Sequence, residues 1–127
     1  MITIIENQAE NSSEFPYVMM LKGAPEKIIA MCDKTFKNGQ VYDMSKDDRQ
    51  AIEDINEILA KRGERVLAFA QLELPASKFP LGFKFDLDSE EPNVVPEYLV
   101  YIGMFALIDP PRMSVKPAIE LCHRAGI

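Results

Sequence analysis

Val18-Met19-Met20-Leu21-Lys22-Gly23-Ala24-Pro25-Glu26-Lys27 reads as a strand that hands over to a helix. The apolar run before Lys22 predicts a buried strand. Pro25 predicts the first position of a helix, where its missing N–H costs nothing. Lys22 then stands at the mouth of a strand-to-helix turn, and Gly23 beside it has no Cβ, so a ligand could approach the backbone closely. A lysine there is a compact positive charge on a flexible stem, suited to a phosphate or to a ring and its substituents. The same geometry also fits a solvated lysine at a strand end.

Upstream of that turn, Met1-Ile2-Thr3-Ile4-Ile5 is β-branched and predicts a strand, followed by a polar loop over 6–14 and a pairing with the strand ending at Leu21. Downstream, Ile28, Ile29 and Cys32 share one helical face. Asn38-Gly39 between strand-like residues predicts a tight hairpin. Ser45, with Asp48 three residues on, predicts the start of a helix to about Arg62, with Ile52, Ile55, Ile58 and Leu59 at helical spacing and Gly63 as its stop. The acids Asp47, Asp48, Glu53, Asp54 and Glu57 fall mostly on the other, solvated face. Residues 64–74 alternate as a long strand, and 75–96 is an irregular proline- and acid-rich segment tacked down by Phe79, Phe83 and Phe85. Tyr98 to Ile108 is nearly all apolar and predicts a central strand ended by Pro110-Pro111. A last helix follows Ser114, with Val115, Ala118, Ile119 and Cys122 expected inward and His123 outward. Gly126 stops it, and Ile127 reads as the first residue of a further strand, so the sequence is expected to end mid-unit.

The 127 residues suit one domain, and 47% hydrophobic with 27% charged content is ordinary for a globular protein. No apolar run approaches the ~20 residues of a membrane helix, and the N-terminus lacks a basic segment followed by an apolar one. Cys32 and Cys122 have no metal-like spacing and are read as reduced, structural thiols. A net charge of −6 argues against nucleic acid or an anionic membrane as partner. An acidic domain still binds a nucleotide if a few cations gather in one cleft. Lys22 at the end of one strand and Arg65 at the start of another could do this if the strands are neighbours. Leu67, two residues on from Arg65 and on its face, would then form part of an apolar wall, and the arginine's planar fork suits phosphate oxygens.

Three strings in order, Lys22-Gly23-Ala24-Pro25-Glu26, Gly63-Glu64-Arg65-Val66-Leu67-Ala68-Phe69 and Ile108-Asp109-Pro110-Pro111-Arg112, resemble the nucleotide-binding domain of P-type cation-transporting ATPases. Phe79-Pro80-Leu81-Gly82-Phe83-Lys84-Phe85-Asp86 is most similar to the sodium/potassium-pump branch. The resemblance runs from about Ile2 to Ile127. It implies an α+β fold, a mostly antiparallel sheet with flanking helices. Residues 1–108 would be the C-terminal part of the nucleotide-binding domain, and 109–127 the hinge and first helix of the phosphorylation domain. It implies ATP as substrate, with Lys22 and Gly23 at the adenine pocket, Arg65 reaching the phosphates, Leu67 beside them, and Asp109, Pro110, Pro111 and Arg112 as hinge, where Asp109 or Arg112 could bridge the cleft by a salt bridge.

The parent protein would use magnesium, for which this stretch offers no ligands, and would carry phosphorylation and actuator domains on the cytoplasmic side of a membrane. The resemblance also marks what this stretch lacks: the phosphorylated aspartate, the magnesium motif, the membrane helices, and the half of the pocket that stacks on adenine. Phe15 and Tyr17 do not sit in that half's sequence context. Asp33-Lys34-Thr35 copies three letters of the phosphorylation motif but continues with Phe36-Lys37 and lies after the lysine motif, so Asp33 is read as a surface residue. Alone, the stretch is expected to have no ATPase activity. The competing reading is a non-catalytic acidic protein-interaction module, supported by the acidic face of the 45–62 helix and the irregular 75–96 segment.

Overall fold

Pro25 occupies the first turn of a six-residue helix, and the strand before it runs through Lys22 to Gly23. From this junction a computed structural model, describing residues 1–9, 12–87 and 89–127, builds one six-stranded sheet. In chain order the elements are β1 (Ile2–Glu6), β2 (Tyr17–Gly23), α1 (Pro25–Ala30), β3 (Cys32–Lys37), β4 (Gln40–Asp43), α2 (Lys46–Lys61), β5 (Arg65–Leu74), β6 (Leu99–Leu107) and α3 (Val115–Arg124). The strand order is β1-β2-β5-β6-β3-β4. Every neighbouring pair is antiparallel except β3 with β6. This is the α+β, mostly antiparallel architecture that the sequence implied.

The local punctuation acts as its chemistry requires. Asn38 and Gly39 both take positive φ, at 50° and 81°, which closes the two-residue β3–β4 turn. The Ser45 hydroxyl accepts from Asp48 N–H at 3.0 Å while an Asp48 carboxylate oxygen accepts from Ser45 N–H at 3.2 Å, a reciprocal cap on α2. Gly63, at φ 76°, lets the chain leave α2 towards β5.

Asp48 also accepts from the Lys37 ammonium. These bonds, Lys37 first and Ser45 next, hold its carboxyl down to about 2 from the ordinary 3.8. A depressed acid stabilises the fold above its unfolded pKa and loses that effect as pH falls through the folded one. The melting temperature should therefore decline between about pH 4 and pH 2, with the Asp48→Asn variant declining less over the same window. Equal slopes for the two proteins in thermal melts would refute the assignment.

The core lies on one face of the sheet. Alternation along β2 and β5 turns Met19, Leu21, Ala68, Ala70 and Leu74 to that side, where they meet Leu99 and Tyr101 of β6 and Ile28 and Ile29 of α1. Phe79, Phe85, Leu87 and Val94 cover the same face further along. Phe79, Phe83 and Phe85 pack on one another, Phe85 meets Tyr17 edge-on at 5.0 Å, and Gly82 N–H donates to the Tyr17 hydroxyl at 2.7 Å. Tyr17 is thereby committed to holding this segment.

Three expectations need correction. Ile55 and Ile58 of α2 are half exposed, because the helix touches the body along Arg49, Ile52, Asn56 and Leu59, and a 100° step per residue puts the two isoleucines on its flank. β6 is central but not buried throughout. Leu99 and Tyr101 are enclosed, whereas Ile102, Phe105, Leu107 and Ile108 are exposed, since α1 and α2 cover only one face. α3 forms as predicted, yet Val115, Ala118, Ile119 and Cys122 are all exposed, because no described element lies against the helix. Cys122 is thus an exposed free thiol, while Cys32 is buried, its Sγ donating to the Ile28 carbonyl at 3.1 Å.

Candidate functional site

β2 and β5 are neighbours, so the condition attached to Lys22 and Arg65 is met by topology. In their antiparallel register Lys22 stands opposite Phe69 and Gly23 opposite Ala68. Residues paired across strands share a face, and so do residues two apart along one strand. Lys22, Phe69, Leu67 and Arg65 therefore line the face opposite to the core. Arg65 lies beyond the end of β2, level with Leu107 of β6, and both cations are exposed. The Lys22 backbone is fixed in the sheet, its N–H donating to the Met1 carbonyl at 3.0 Å.

Gly23 is not required by the fold itself. A Cβ there would meet the Ile28 side chain at 3.6 Å, an ordinary contact, and Gly23 is absent from the positive-φ glycines.

Beside Lys22 lies an apolar recess of about 360 Å³ lined by Met20, Phe69, Gln71, Ile102, Gly103 and Phe105. Phe69 and Phe105 meet edge to face at 5.5 Å in its wall. None of Met20, Phe69, Ile102 or Phe105 was picked out from the sequence as a site residue. Two of them carry the signal: Met20 precedes Lys22 by two, and Phe69 follows Leu67 by two, so a period of two places both with the cations.

The remaining candidates lie elsewhere. Asp109, Pro110, Pro111 and Arg112 are exposed between β6 and α3, and neither Asp109 nor Arg112 forms an ion pair with a described residue. Asp33 is exposed, its carbonyl accepting from Met44 N–H at 2.8 Å. His123 is exposed on α3. Burial pushes the Cys32 thiol up to about 11, partly offset by the Arg49 guanidinium, so it is no nucleophile at neutral pH. Among the described residues no group of three or more His, Cys, Asp or Glu could hold a metal ion, and no helix is long and apolar enough to cross a membrane.

An open α+β sheet with cations on its uncovered face and a Lys-Gly-Ala-Pro-Glu turn beside them points to one class. The chain belongs to the P-type ATPase cytoplasmic N domains, whose family model matches residues 1–114. Among individual proteins, it is 42% identical over 111 residues to the sodium/potassium-transporting ATPase subunit alpha-2 of Bos taurus, and equally so to that of Homo sapiens. It is 38% identical over 126 residues, 99% of this chain, to the alpha subunit of Tetronarce californica. The match covers 87% of this chain in the first two cases but only 11% of those relatives, and 12% of the third.

Proposed function

We propose that this chain is the ATP-presenting part of a larger P-type cation pump of the sodium/potassium type. The observation that carries this is the shared sheet face: Lys22 and Arg65, on adjacent strands, lie on the side of the sheet that holds an apolar recess of nucleotide dimensions, Lys22 paired with Phe69 of its wall and Arg65 four residues further along β5. Adenine takes the apolar side near Lys22 and Gly23, and Arg65 offers the phosphates a two-pronged donor, with Leu67 between them.

The chemistry completed in the larger protein is transfer of the γ-phosphoryl group. A carboxylate oxygen of an aspartate on a neighbouring domain forms the new P–O bond, the bond to the β-phosphate oxygen breaks, and ADP leaves with that electron pair. This chain contributes binding and orientation. Among the described residues no group of three or more His, Cys, Asp or Glu could hold the magnesium ion. Residues 1–108 act as the nucleotide-binding body, and Asp109–Arg112 as the hinge by which it moves against the phosphorylation and actuator domains on the cytoplasmic side of the membrane.

Titrating ATP while following the backbone amides of Gly23 and Arg65 should shift both. Lys22→Ala and Arg65→Ala should each weaken binding about tenfold, the ~1.4 kcal/mol of a charge-assisted contact in a wet site. If neither amide moved at millimolar ATP, the nucleotide reading would fall, leaving the acidic outer face of α2 as the functional surface.

A further inference from the structure

We propose, resting on the nucleotide reading above, that Gln71 selects the base: its side-chain amide takes the N6 edge of adenine. Gln71 follows Phe69 by two on β5 and pairs with Met20 of β2, so it stands on the same sheet face as Lys22 and Arg65. Of the residues lining the recess beside Lys22, it alone has a side chain that both donates and accepts hydrogen bonds. Met20, Phe69, Ile102 and Phe105 make the rest of the wall apolar. Among the described residues nothing hydrogen-bonds the Gln71 amide, and neither of its polar atoms is shut away from the recess. A few such polar groups in an apolar hollow are what orient a small ligand.

The order of side chains along β5 decides which end of the nucleotide meets Gln71. Arg65, Leu67, Phe69 and Gln71 follow one another on one face, so Arg65 and Gln71 stand at opposite ends of a row ~20 Å long at the backbone. Their long side chains reach inwards and shorten that span. With the phosphates at Arg65, the ribose falls near Leu67 and the base beside Phe69. The glycosidic nitrogen then faces Arg65, and the amino group on the far side of the ring faces Gln71. That amino group is a donor flanked on either side by a ring nitrogen acceptor, N1 or N7. One amide can therefore accept from N6 and donate to the ring nitrogen on whichever flank it meets.

The floor of the recess suits a planar ring. Between β5 and β6 the register jumps from Phe69–Gly103 to Ala70–Tyr101, which leaves Ile102 as a bulge. Bulges re-aim side chains and are frequent beside functional sites. Gly103, opposite Phe69, presents no side chain, and a Cβ there would stand in open space. A base lying here meets bare backbone at Gly103 and the paired rings of Phe69 and Phe105. In such apolar surroundings the hydrogen bond discriminates sharply. A purine without the amino group leaves the Gln71 carbonyl oxygen facing a C–H, with no donor to replace the water it has lost.

Titrations of the full chain with ATP and with purine riboside triphosphate, which lacks only the N6 amino group, test the proposal. Occupancy by either is read from the Gly23 and Arg65 backbone amides. The unaltered chain should bind ATP roughly tenfold more tightly. Its Gln71 side-chain amide resonances should shift with ATP and much less with the analogue. Gln71→Leu, of similar bulk, should lose the preference, bringing the two affinities within about twofold. Arg65→Ala should weaken both nucleotides by one factor, since they share the phosphates. Equal affinities in the unaltered chain overturn the proposal, as do Gln71 side-chain resonances that ATP leaves in place. So does a folded Gln71→Leu chain that still prefers ATP. In these cases ATP binds and the nucleotide reading stands. If the unaltered chain binds neither compound, the nucleotide reading itself falls and the base contact with it.

Discussion

Replacing Arg49 by alanine should cost the fold about 2–4 kcal/mol, a large part of the ~5–15 kcal/mol that holds a domain together. Arg49 projects from the first turns of α2 and spans to two backbone carbonyls at the junction of α1 and β3. One guanidinium nitrogen donates to the carbonyl of Ile29, among the last of α1, and the other donates to the carbonyl of Cys32 at 2.8 Å. Carbonyls at a helix end are left over by the helix's own bonding and carry the negative end of its dipole, so a cation is the partner they favour. Alanine would leave both acceptors in a partly buried junction that water reaches poorly. Urea denaturation should show a lower midpoint at an unchanged slope. Arg49→Lys should recover only part of the loss, because an ammonium lacks the fork that spans two acceptors. An alanine variant within ~0.5 kcal/mol of the parent would show that the two bonds are dispensable.

Arg49 also marks where reading the sequence runs out. Within Lys46-Asp47-Asp48-Arg49-Gln50 it looks like one more charge on a solvated helix face, and its partners lie 17 and 20 residues away. Signals that act within a few residues were legible: the Gly23–Pro25 handover, the Asn38-Gly39 turn, the Ser45 cap and the Gly63 stop all depend on local backbone chemistry. The contents of strands were legible too, but not which face would be covered. Alternation along 64–74 separates Val66, Ala68 and Ala70 from Arg65, Leu67 and Phe69, yet it is silent on where helices will sit. The same gap explains α3, whose apolar stripe has the right period and nothing among the described residues to rest on. At the candidate site, Lys22 and Arg65 were legible by motif. Their place on one face needed the β2–β5 register, and so did the recess beside Lys22.

The strand that reads as uniformly apolar supplies the sharpest contrast in expected effect. Leu99 and Phe105 both belong to β6, six residues apart, and sequence pattern treats them alike. Leu99 has no exposed surface, sits within the core cluster with Met19, Ile29 and Leu74, and pairs across to Cys32 in the one parallel contact of the sheet. Leu99→Ala removes three buried carbons that the surrounding side chains cannot fully collapse upon, and should cost about 3–4 kcal/mol. Phe105 is the larger residue, yet it is 69% exposed, and its ring meets that of Phe69 edge to face at 5.5 Å. Phe105→Ala should cost no more than about 1 kcal/mol, the worth of one edge-to-face pair with little burial. Urea titrations of both variants at low micromolar concentration decide the matter. If the phenylalanine proved the costlier loss, the face opposite to the core would have to be covered in solution, and the one-sided sheet described above would be wrong.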